Sequence, residues 1–495
     1  MEPLPLAELG LWGRFDVDDF DELVVARVTE AELGRRLPEW RIHRYAPVGY
    51  PHPITLDGTP ASALGRWSDE RLADLAAALD FVVVAGASVL DLDDARAAAV
   101  YDLPPEQAAE VLPSWFFVEG LGADLEAATP VAWSAVRLKA TPSDEEGVRL
   151  GAALRHRSYV SVADDASRAA LEACGVDTAI HVVGDPALLA ADVIPAPVLA
   201  RRLAYLRGIA ALPAEGDGPA IVVEDHPALV PLAPMISRAV DEVAAHAAVS
   251  PVLAVAHLAG PRSGDLTAAL TATSNRTVIR LPRETVLEDL CAALASSFGF
   301  VGVSPTCAAA AAGFGRPYGL IAAQRDLPAA ETPTGEPRRL VYGDQPDSPG
   351  DLAAALIEPP PGKALDTATA AIGDHFDRLA SLATEVTRRP SPAATEDGEL
   401  DRQLLERALA ARGRQLVAER LAFADQSRDF DAMIASYRRH IDGLNGMLGD
   451  LDQTAKALEQ RVTLAEAQAR SVRKQISFRV ASRLRRTYRE LRGSS

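Results

Sequence analysis

Residues 159–189 read YVSVADDASRAALEACGVDTAIHVVGDPALL, and this stretch decides the fold. The apolar run Tyr159–Val162 predicts a buried strand, and the pattern of Asp165–Cys174 predicts a helix that begins at an aspartate and ends before a glycine. His181–Val183 predicts a second strand, which runs into an Asp-Pro pair at Asp185. A strand, a helix and a strand in this order indicate a parallel sheet covered by helices.

The same alternation extends outward along the chain to about residue 325, with one break at the Pro/Gly/acidic stretch Leu212–Gly218. We therefore predict an α/β protein with two Rossmann-like lobes, each built on a parallel sheet, followed by a long C-terminal helix or coiled coil. We also predict one helix over Ala228–Ala247. The predicted strands are Leu9–Trp12, Trp40–Tyr45, Asp80–Ala85, Val131–Leu138, Tyr159–Val162, His181–Val183, Ala220–Val223, Val252–Ala256, Thr277–Leu281, Phe300–Val303 and Tyr318–Ile321.

The C-terminal fifth of the chain has a different pattern. One apolar series with a period of seven residues runs from Leu409 to Val472, and a second, offset from it by three and four, runs from Ile434 to Ile476. Together they predict a coiled coil that could form a homo-oligomer. The glycines of Gly443–Gly449 weaken it, and a single long helix folding back on the body is the alternative. The predicted segments are an N-terminal lobe over 1–211, a C-terminal lobe over 219–357, a helix over 363–388 that packs back on the body, a linker over 389–398, a coiled coil over 399–475 and a basic amphipathic tail over 476–495.

The end of the chain is strongly basic. From Arg470 onward it contains eight arginines, Lys474 and one acid, Glu490, a net charge of +8. Ile476, Val480, Leu484 and Tyr488 recur every four residues. A basic amphipathic helix suits an anionic membrane surface, while a solvated end of the coiled coil and an anionic polymer remain alternatives.

Composition and charge limit the function. The formal net charge is −19, which argues against nucleic acid as a partner because phosphate backbones bind basic faces. Cys174, Cys291 and Cys307 lie far apart without a CxxC pair, so we expect neither disulfides nor a metal site. Without a basic N-terminal region or an apolar run of about 18 residues, we expect a cytoplasmic protein, peripheral at the inner face of the membrane if the tail binds there.

The stretch that opened this section carries a resemblance to a known family. It resembles the polysaccharide pyruvyl transferase family, whose chains read roughly VSxRDxxSxxxLxxxGV…DPAL at the edge of the first lobe. The matching residues, in order, are Val160, Ser161, Asp164, Ser167, Leu171, Gly175, Val176, Asp185, Pro186, Ala187 and Leu188.

Weaker motifs of the family follow in the correct order. Asp21 and Glu22 match the end of a glycine-rich N-terminal loop, and Asp80, Gly86 and Ser88 match a DxxxxGGGSL stretch. In the second lobe the family has an SxHG turn followed by GxP. Here the turn is Val303-Ser304-Pro305-Thr306-Cys307, and Gly315-Arg316-Pro317 follows it. The resemblance spans residues 9–325 and implies a two-lobed build like that of glycosyltransferases.

The resemblance also implies a reaction. The family joins the enolpyruvyl unit of phosphoenolpyruvate to two hydroxyls of a cell-surface glycan or its lipid-linked precursor, as a ketal, and releases phosphate. Phosphoenolpyruvate would be the donor substrate, with no further cofactor. From the family positions, the candidate catalytic residues are Thr306 and Asp164, and the candidate substrate-binding residues are Asp21, Glu22, Gly86, Ser88, Ser167, Ser304 and Arg316. His257 and His226 each follow a predicted strand and are candidates to replace lost family residues, His257 in catalysis and His226 in substrate binding. Arg283, before a predicted helix, is a further substrate-binding candidate.

Three departures from the family pattern bear on that reaction. Thr306 stands where the family has histidine, and a threonine hydroxyl cannot donate a proton near neutral pH. Ala163 replaces an arginine that could fork onto an anion, and the glycines after Gly13 are lost. These losses favour a retasked site. The alternatives are a non-catalytic glycan- or protein-binding descendant that scaffolds a polysaccharide-assembly complex through its coiled coil, and a nucleotide-sugar glycosyltransferase.

Overall fold

A computed structural model gives the fold of this protein, and it divides the chain into two compact units, Met1–Ala408 and Leu409–Ser495. The structure describes residues 7–16, 19–47, 49, 61–65, 68–87, 117–118, 120–126, 128–138, 142–258, 265–282, 285–322, 332–333, 339–343, 345 and 347–386, and beyond these residues 456, 468, 470–471, 473–474, 477, 479 and 481–486. The predicted linker over 389–398 and nearly all of the predicted coiled coil over 399–475 lie outside the described residues.

The N-terminal lobe is built on a seven-stranded sheet of order β3-β2-β1-β4-β5-β6-β7, in which every pairing is parallel. Its central strand β4 (FVVVA) is buried throughout because helices cover both faces of the sheet. The elements are β1 (Ala7–Trp12), α1 (Phe20–Arg36), β2 (Trp40–Ala46), β3 (Ser62–Ala63), α2 (Asp69–Ala78), β4 (Phe81–Ala85), α3 (Ala123–Glu126), β5 (Val131–Val136), α4 (Asp144–Leu154), β6 (Tyr159–Val162), α5 (Asp165–Ala173), β7 (Ile180–Val182), a 3₁₀ turn (Pro186–Leu189), α6 (Ala190–Val193) and α7 (Ala196–Gly208).

The C-terminal lobe repeats the design with a six-stranded parallel sheet of order β10-β9-β8-β11-β12-β13. Two parallel α/β lobes confirm the predicted fold class. The elements are β8 (Ala220–Glu224), a 3₁₀ turn (Pro227–Leu232), α8 (Ala233–Ala247), β9 (Val252–Ala256), α9 (Leu266–Thr273), β10 (Val278–Arg280), α10 (Leu287–Ser296), β11 (Gly299–Gly302), α11 (Pro305–Gly313), β12 (Tyr318–Ala322), β13 (Leu340–Tyr342) and α12 (Ser348–Ile357), and the last helix of this unit is α13 (Gly362–Glu385).

The structure corrects one predicted element. The expected helix over Ala228–Ala247 is a 3₁₀ turn over Pro227–Leu232 followed by α8, which begins at Ala233. Pro231 lies inside the turn and has no backbone N–H to donate, so a regular helix cannot run through this segment. The second strand of the opening stretch is β7, Ile180–Val182, one residue earlier than predicted.

The two lobes meet where the alanine-rich helix α11 lies against the 3₁₀ turn Pro186–Leu189. Cys307–Ala312 is completely buried in α11, and these small side chains allow a close approach. At the end of the helix, a Cβ added to Gly313 would clash with the carbonyl oxygen of Leu188. The Asp-Pro-Ala-Leu motif is therefore part of the contact between the lobes.

Helix α13 returns from the C-terminal lobe to the N-terminal lobe. Its buried residues Ile372, Phe376 and Leu379 join the main core. Arg36 of α1 bonds to Asp377 with Nε–Oδ1 2.5 Å. Within the described part of the chain, no helix is long and apolar enough to cross a membrane.

Candidate functional site

An irregularity in β5 directs a guanidinium toward the boundary between the lobes. The register between β5 and β6 shifts between Trp133 and Val136, and Ala135 adopts φ 51°. The hydroxyl of Ser161 stabilises this bulge, because it donates to the carbonyl of Trp133 (2.7 Å) and accepts from the N–H of Ala135 (2.9 Å). A bulge re-aims the side chains that follow it, and here the next residue past the strand is Arg137.

Arg137 is the centre of a buried polar cluster. Its Nε donates to Asp164 Oδ2 at 2.7 Å, its Nη2 lies 3.2 Å from Asp185 Oδ2, and its Nη1 donates to Thr306 Oγ1 at 3.1 Å. Burial lowers the pKa of Arg137, but the carboxylates of Asp185 and Asp164 outweigh it, so the pKa lies above its ordinary value. The guanidinium therefore stays charged and joins three elements of two lobes.

Helix starts supply most of the other groups. Asp164 caps α5 and accepts from the N–H of Ser167 (2.7 Å), while Asp185 caps the 3₁₀ turn and accepts from the N–H of Ala187 (2.9 Å). Thr306, in the first turn of α11, donates from its hydroxyl to Asp185 Oδ2 at 2.7 Å. The residues that cap helices and turns in both lobes thus also form bonds between the lobes.

A second set of bonds crosses the lobes next to this one. Ser304 caps α11 and donates from its hydroxyl to both oxygens of Asp21, at 2.7 and 2.9 Å. The thiol of Cys307 also donates to Asp21, at 3.2 Å. Burial and the nearby carboxylate of Asp21 raise the pKa of this thiol well above its usual range, so it stays protonated.

Glu224 lies beneath the Val303–Ser304 turn, at the carboxyl end of β8. Its Oε2 accepts from the N–H groups of Val303 (2.7 Å) and Ser304 (2.9 Å). A Cβ on Gly302 would clash with this oxygen, so a glycine is needed for the close approach. Burial, with a contribution from the charge of Asp21, raises the pKa of Glu224 to about 8. The carboxyl is therefore mostly protonated at neutral pH.

Two histidines follow neighbouring strands of the C-terminal sheet. His226 follows β8, and its Nδ1 accepts from the N–H of Ala228 at 3.2 Å, so it caps the following turn. His257 follows β9, and the carbonyl of the next residue, Leu258, accepts from the N–H of Phe20 at 2.6 Å. His257 therefore lies close to the start of α1, on the boundary between the lobes.

The structure brings together four of the predicted site residues: Asp21, Asp164, Ser304 and Thr306. Glu22 is buried beside Asp21 in the first turn of α1. Ser167 helps to fix the backbone next to Arg137, since its hydroxyl accepts from the N–H of Leu138 at 3.1 Å.

The remaining predicted residues are placed elsewhere or cannot be placed. Gly86 directly follows β4 and has φ 153°. Arg316 follows the C-terminal end of α11, and nine residues of helix separate that end from Ser304, about 13 Å. Arg316 is therefore not part of the cluster. Ser88 and Arg283 lie outside the described residues.

Sequence reasoning missed Arg137 and Glu224 as members of the site. Val131–Leu138 was predicted as one regular strand, so nothing indicated that Arg137 would turn toward the second lobe. The one sequence feature that could have indicated Arg137 is Ala163, where the family has an arginine. The N–H of Ala163 bonds to the carbonyl of Val136 at 3.1 Å, which places residue 137 beside the position where the family has arginine.

The charges of the cluster indicate what it can bind. Three aspartates, Asp21, Asp164 and Asp185, face one guanidinium, that of Arg137. A site with excess carboxylate accepts hydrogen bonds from hydroxyl groups more readily than it binds an anion. Among the described residues, no group of three or more His, Cys, Asp or Glu side chains could hold a metal ion.

Comparison with known proteins gives similarity of overall fold only. No family model matches the chain, and no match is found among curated proteins. Among solved structures, a UDP-GlcNAc 2-epimerase from Methanocaldococcus jannaschii is 13% identical with TM-score 0.44, covering 76% of this chain and 99% of that one. The S. aureus MnaA–UDP structure is 11% identical with TM-score 0.42, covering 78% and 100%. A variant of the wall teichoic acid polymerase TagF is 11% identical with TM-score 0.37, covering 77% and 89%.

Proposed function

We propose that this chain is a polysaccharide pyruvyl transferase-like protein that acts on a cell-surface glycan or its precursor. The observation that carries the proposal is the meeting of Asp164, Asp185 and Thr306 around Arg137. These residues occupy motif positions that are far apart in the sequence and come from both lobes. A shared ligand site between two α/β lobes would require such convergence.

Arg137 supports the proposal because it supplies a guanidinium close to Ala163, the position where the family has an arginine and this chain does not. It stands beside Ala163, and its Nη1 is 3.1 Å from the hydroxyl of Thr306. A guanidinium has five N–H donors in a planar fork, which suits a carboxylate or phosphate. Three of its nitrogens are engaged within the cluster, so an incoming anion would have to exchange with Asp164 or Asp185.

The proposed reaction also needs a proton donor. Addition to the enolpyruvyl carbon needs an acid, and Thr306 cannot serve. Glu224 carries a proton at neutral pH, but its carboxyl is 1% exposed and covered by the Val303–Ser304 backbone. Glu224 therefore stabilises the turn, and it reaches a substrate only if that turn moves.

A non-catalytic descendant is the second candidate, and the charge of the cluster favours it. Asp21, Asp164 and Asp185 surround a single arginine whose nitrogens are already bonded. Such a cluster would bind the hydroxyls of a neutral glycan while binding phosphoenolpyruvate poorly. The predicted coiled coil would then organise a polysaccharide-assembly complex. A nucleotide-sugar glycosyltransferase is the third candidate, and the UDP-sugar epimerases among the structures of similar fold suggest a UDP-sugar as its probe.

The deciding experiment measures phosphate release from phosphoenolpyruvate with a panel of acceptor glycans, together with calorimetry for each ligand. Release that depends on the acceptor, and that Arg137→Lys reduces at least about tenfold, supports pyruvyl transfer, because lysine cannot form the fork. The matched control is Arg155→Lys on the exposed surface. Binding of a glycan without release supports the scaffold. Saturable binding of a UDP-sugar without phosphoenolpyruvate turnover supports the glycosyltransferase.

A further inference from the structure

The C-terminal segment of the chain is strongly basic, whereas the rest of the chain is acidic. The segment from Arg470 to the end carries +8, and the first 469 residues carry the remaining −27. An acidic body is repelled by an anionic surface, so any attraction to such a surface must come from the basic segment. This segment is distinct from the polar cluster between the lobes and takes no part in the proposed reaction.

The described part of this segment is helical and exposed. Residues 481–486 form consecutive helix, and Arg483, Arg485 and Arg486 are exposed in it. Arg470, Arg473, Lys474 and Arg479 are helical and exposed as well. Seven cations thus lie on exposed helical positions, and blocks of like charge are often interaction segments.

An apolar side chain, that of Leu484, is exposed among these arginines. It is 66% exposed, although the same helix places arginines on both sides of it in the sequence. Ile476, Val480 and Tyr488 share its four-residue spacing, so the sequence assigns them to one helical face. An anionic polymer needs only the cations, whereas an apolar stripe beside a cationic face matches the boundary between lipid headgroups and acyl chains.

We propose that the basic segment 470–486 docks on the surface of an anionic lipid bilayer, with its arginines at the headgroups and Leu484 inserted between them. Each cation held at such a surface strengthens binding about fivefold, and the attraction weakens as salt screens it. The docking holds the two-lobed body at the membrane without a spanning helix.

The test uses the full-length chain and vesicle flotation. Vesicles contain 30% phosphatidylglycerol in phosphatidylcholine, or phosphatidylcholine alone. We expect binding to the anionic vesicles only, with release at high salt. The four changes Arg479→Gln, Arg483→Gln, Arg485→Gln and Arg486→Gln together weaken binding at least about 100-fold. The matched control removes four exposed arginines of the body, Arg155, Arg201, Arg238 and Arg378, and leaves binding unchanged.

The change Leu484→Ser separates a bilayer from other anionic partners, because it leaves every charge in place. We expect it to weaken vesicle binding about fivefold to tenfold and to leave binding of soluble polyphosphate unchanged. Equal binding to both kinds of vesicle, or no effect of the four tail changes, overturns the proposal. Vesicle binding that Leu484→Ser does not alter also overturns it and assigns the segment to a soluble polyanion or to the acidic body of another copy.

Discussion

Two polar contacts within the two-lobed body differ in charge. At the boundary between the lobes, Arg137 bonds to Asp164, Asp185 and Thr306. Helix α13 makes a buried neutral contact with the N-terminal lobe, in which the ring of His375 bonds to the hydroxyls of Ser134 (3.0 Å) and Tyr159 (3.2 Å). The lobe boundary places its charge at the carboxyl ends of the strands, where ligands bind in parallel α/β sheets.

The two contacts also respond to pH in opposite directions. Burial, aided by His181 and Arg36, lowers the pKa of His375 to about 3, so this ring stays neutral at physiological pH. Burial and Asp21 raise the pKa of Glu224 to about 8. Lowering the pH therefore destabilises the contact of His375, and raising the pH destabilises the lobe boundary at Glu224.

The largest effect is expected when the charged contact loses its cation. Arg137→Met keeps the approximate length of the side chain but leaves the carboxylates of Asp164 and Asp185 without their counter-charge. Removing one partner of a buried ion pair costs about 3–5 kcal/mol. Urea denaturation at pH 7 measures the loss. Arg155→Met, at an exposed position, is the control, and a loss of under 1 kcal/mol for Arg137→Met would show that the cluster is not coupled to folding.

The second prediction concerns Glu224. Its pKa in the folded chain is raised, so its stabilising protonated form is fully present below the unfolded value near 4.5 and is lost as pH rises through about 8. Between pH 6 and pH 8 this single group lowers the free energy of unfolding by about 1 kcal/mol per pH unit. Glu224→Gln should flatten that slope, as measured by urea denaturation at several pH values. A slope that is identical in the variant and the parent chain contradicts the raised pKa.

The third prediction tests the close approach of the lobes. Gly313→Ala introduces a Cβ against the backbone carbonyl of Leu188, which cannot move as freely as a side chain. We expect a loss of about 1–3 kcal/mol from overpacking. Gly208→Ala, where an added Cβ meets nothing within 4 Å, is the control and should be neutral or slightly stabilising. Equal shifts in melting temperature for the two variants would show that a Cβ at Gly313 does not clash with Leu188.

The smallest effect is expected at the neutral contact. His375→Leu leaves the hydroxyls of Ser134 and Tyr159 without their partner at a cost of about 1–2 kcal/mol. In the parent chain, the lowered pKa of His375 makes stability fall as pH drops below about 6.5 toward 3, since only the unfolded chain takes up the proton. The variant should lose this acid dependence. His156→Leu, at an exposed position, should keep it.

Much of the fold could be predicted because the strands of parallel sheets are continuous apolar runs. Val252–Ala256 was predicted with its true bounds, and the helix of the opening stretch was predicted from its aspartate cap and following glycine. The short strand β13 and the helix α7 were not predicted, since three residues carry no period and α7 is only weakly amphipathic.

The site could be predicted only where a motif marked it. Asp164 and Thr306 were found through the family pattern, whereas Arg137 depends on the positive φ of the non-glycine residue Ala135. An alanine gives no signal that the backbone will adopt a left-handed conformation, because the neighbouring Ser161 stabilises that conformation through long-range bonds. Glu224 lies one residue beyond the predicted strand Ala220–Val223 and carries no motif signal, and its raised pKa arises from burial beneath the Val303–Ser304 turn and from the charge of Asp21.

Hydrogen–deuterium exchange can show whether a ligand of the proposed site around Arg137 contacts both lobes. The full chain is measured alone, with phosphoenolpyruvate, with an acceptor glycan, and with both. We expect a bound ligand to slow exchange at residues 135–138 and 303–307 together, and Arg137→Lys to reduce this protection in both segments. Protection confined to one lobe, or protection at neither segment while calorimetry reports binding, would contradict it.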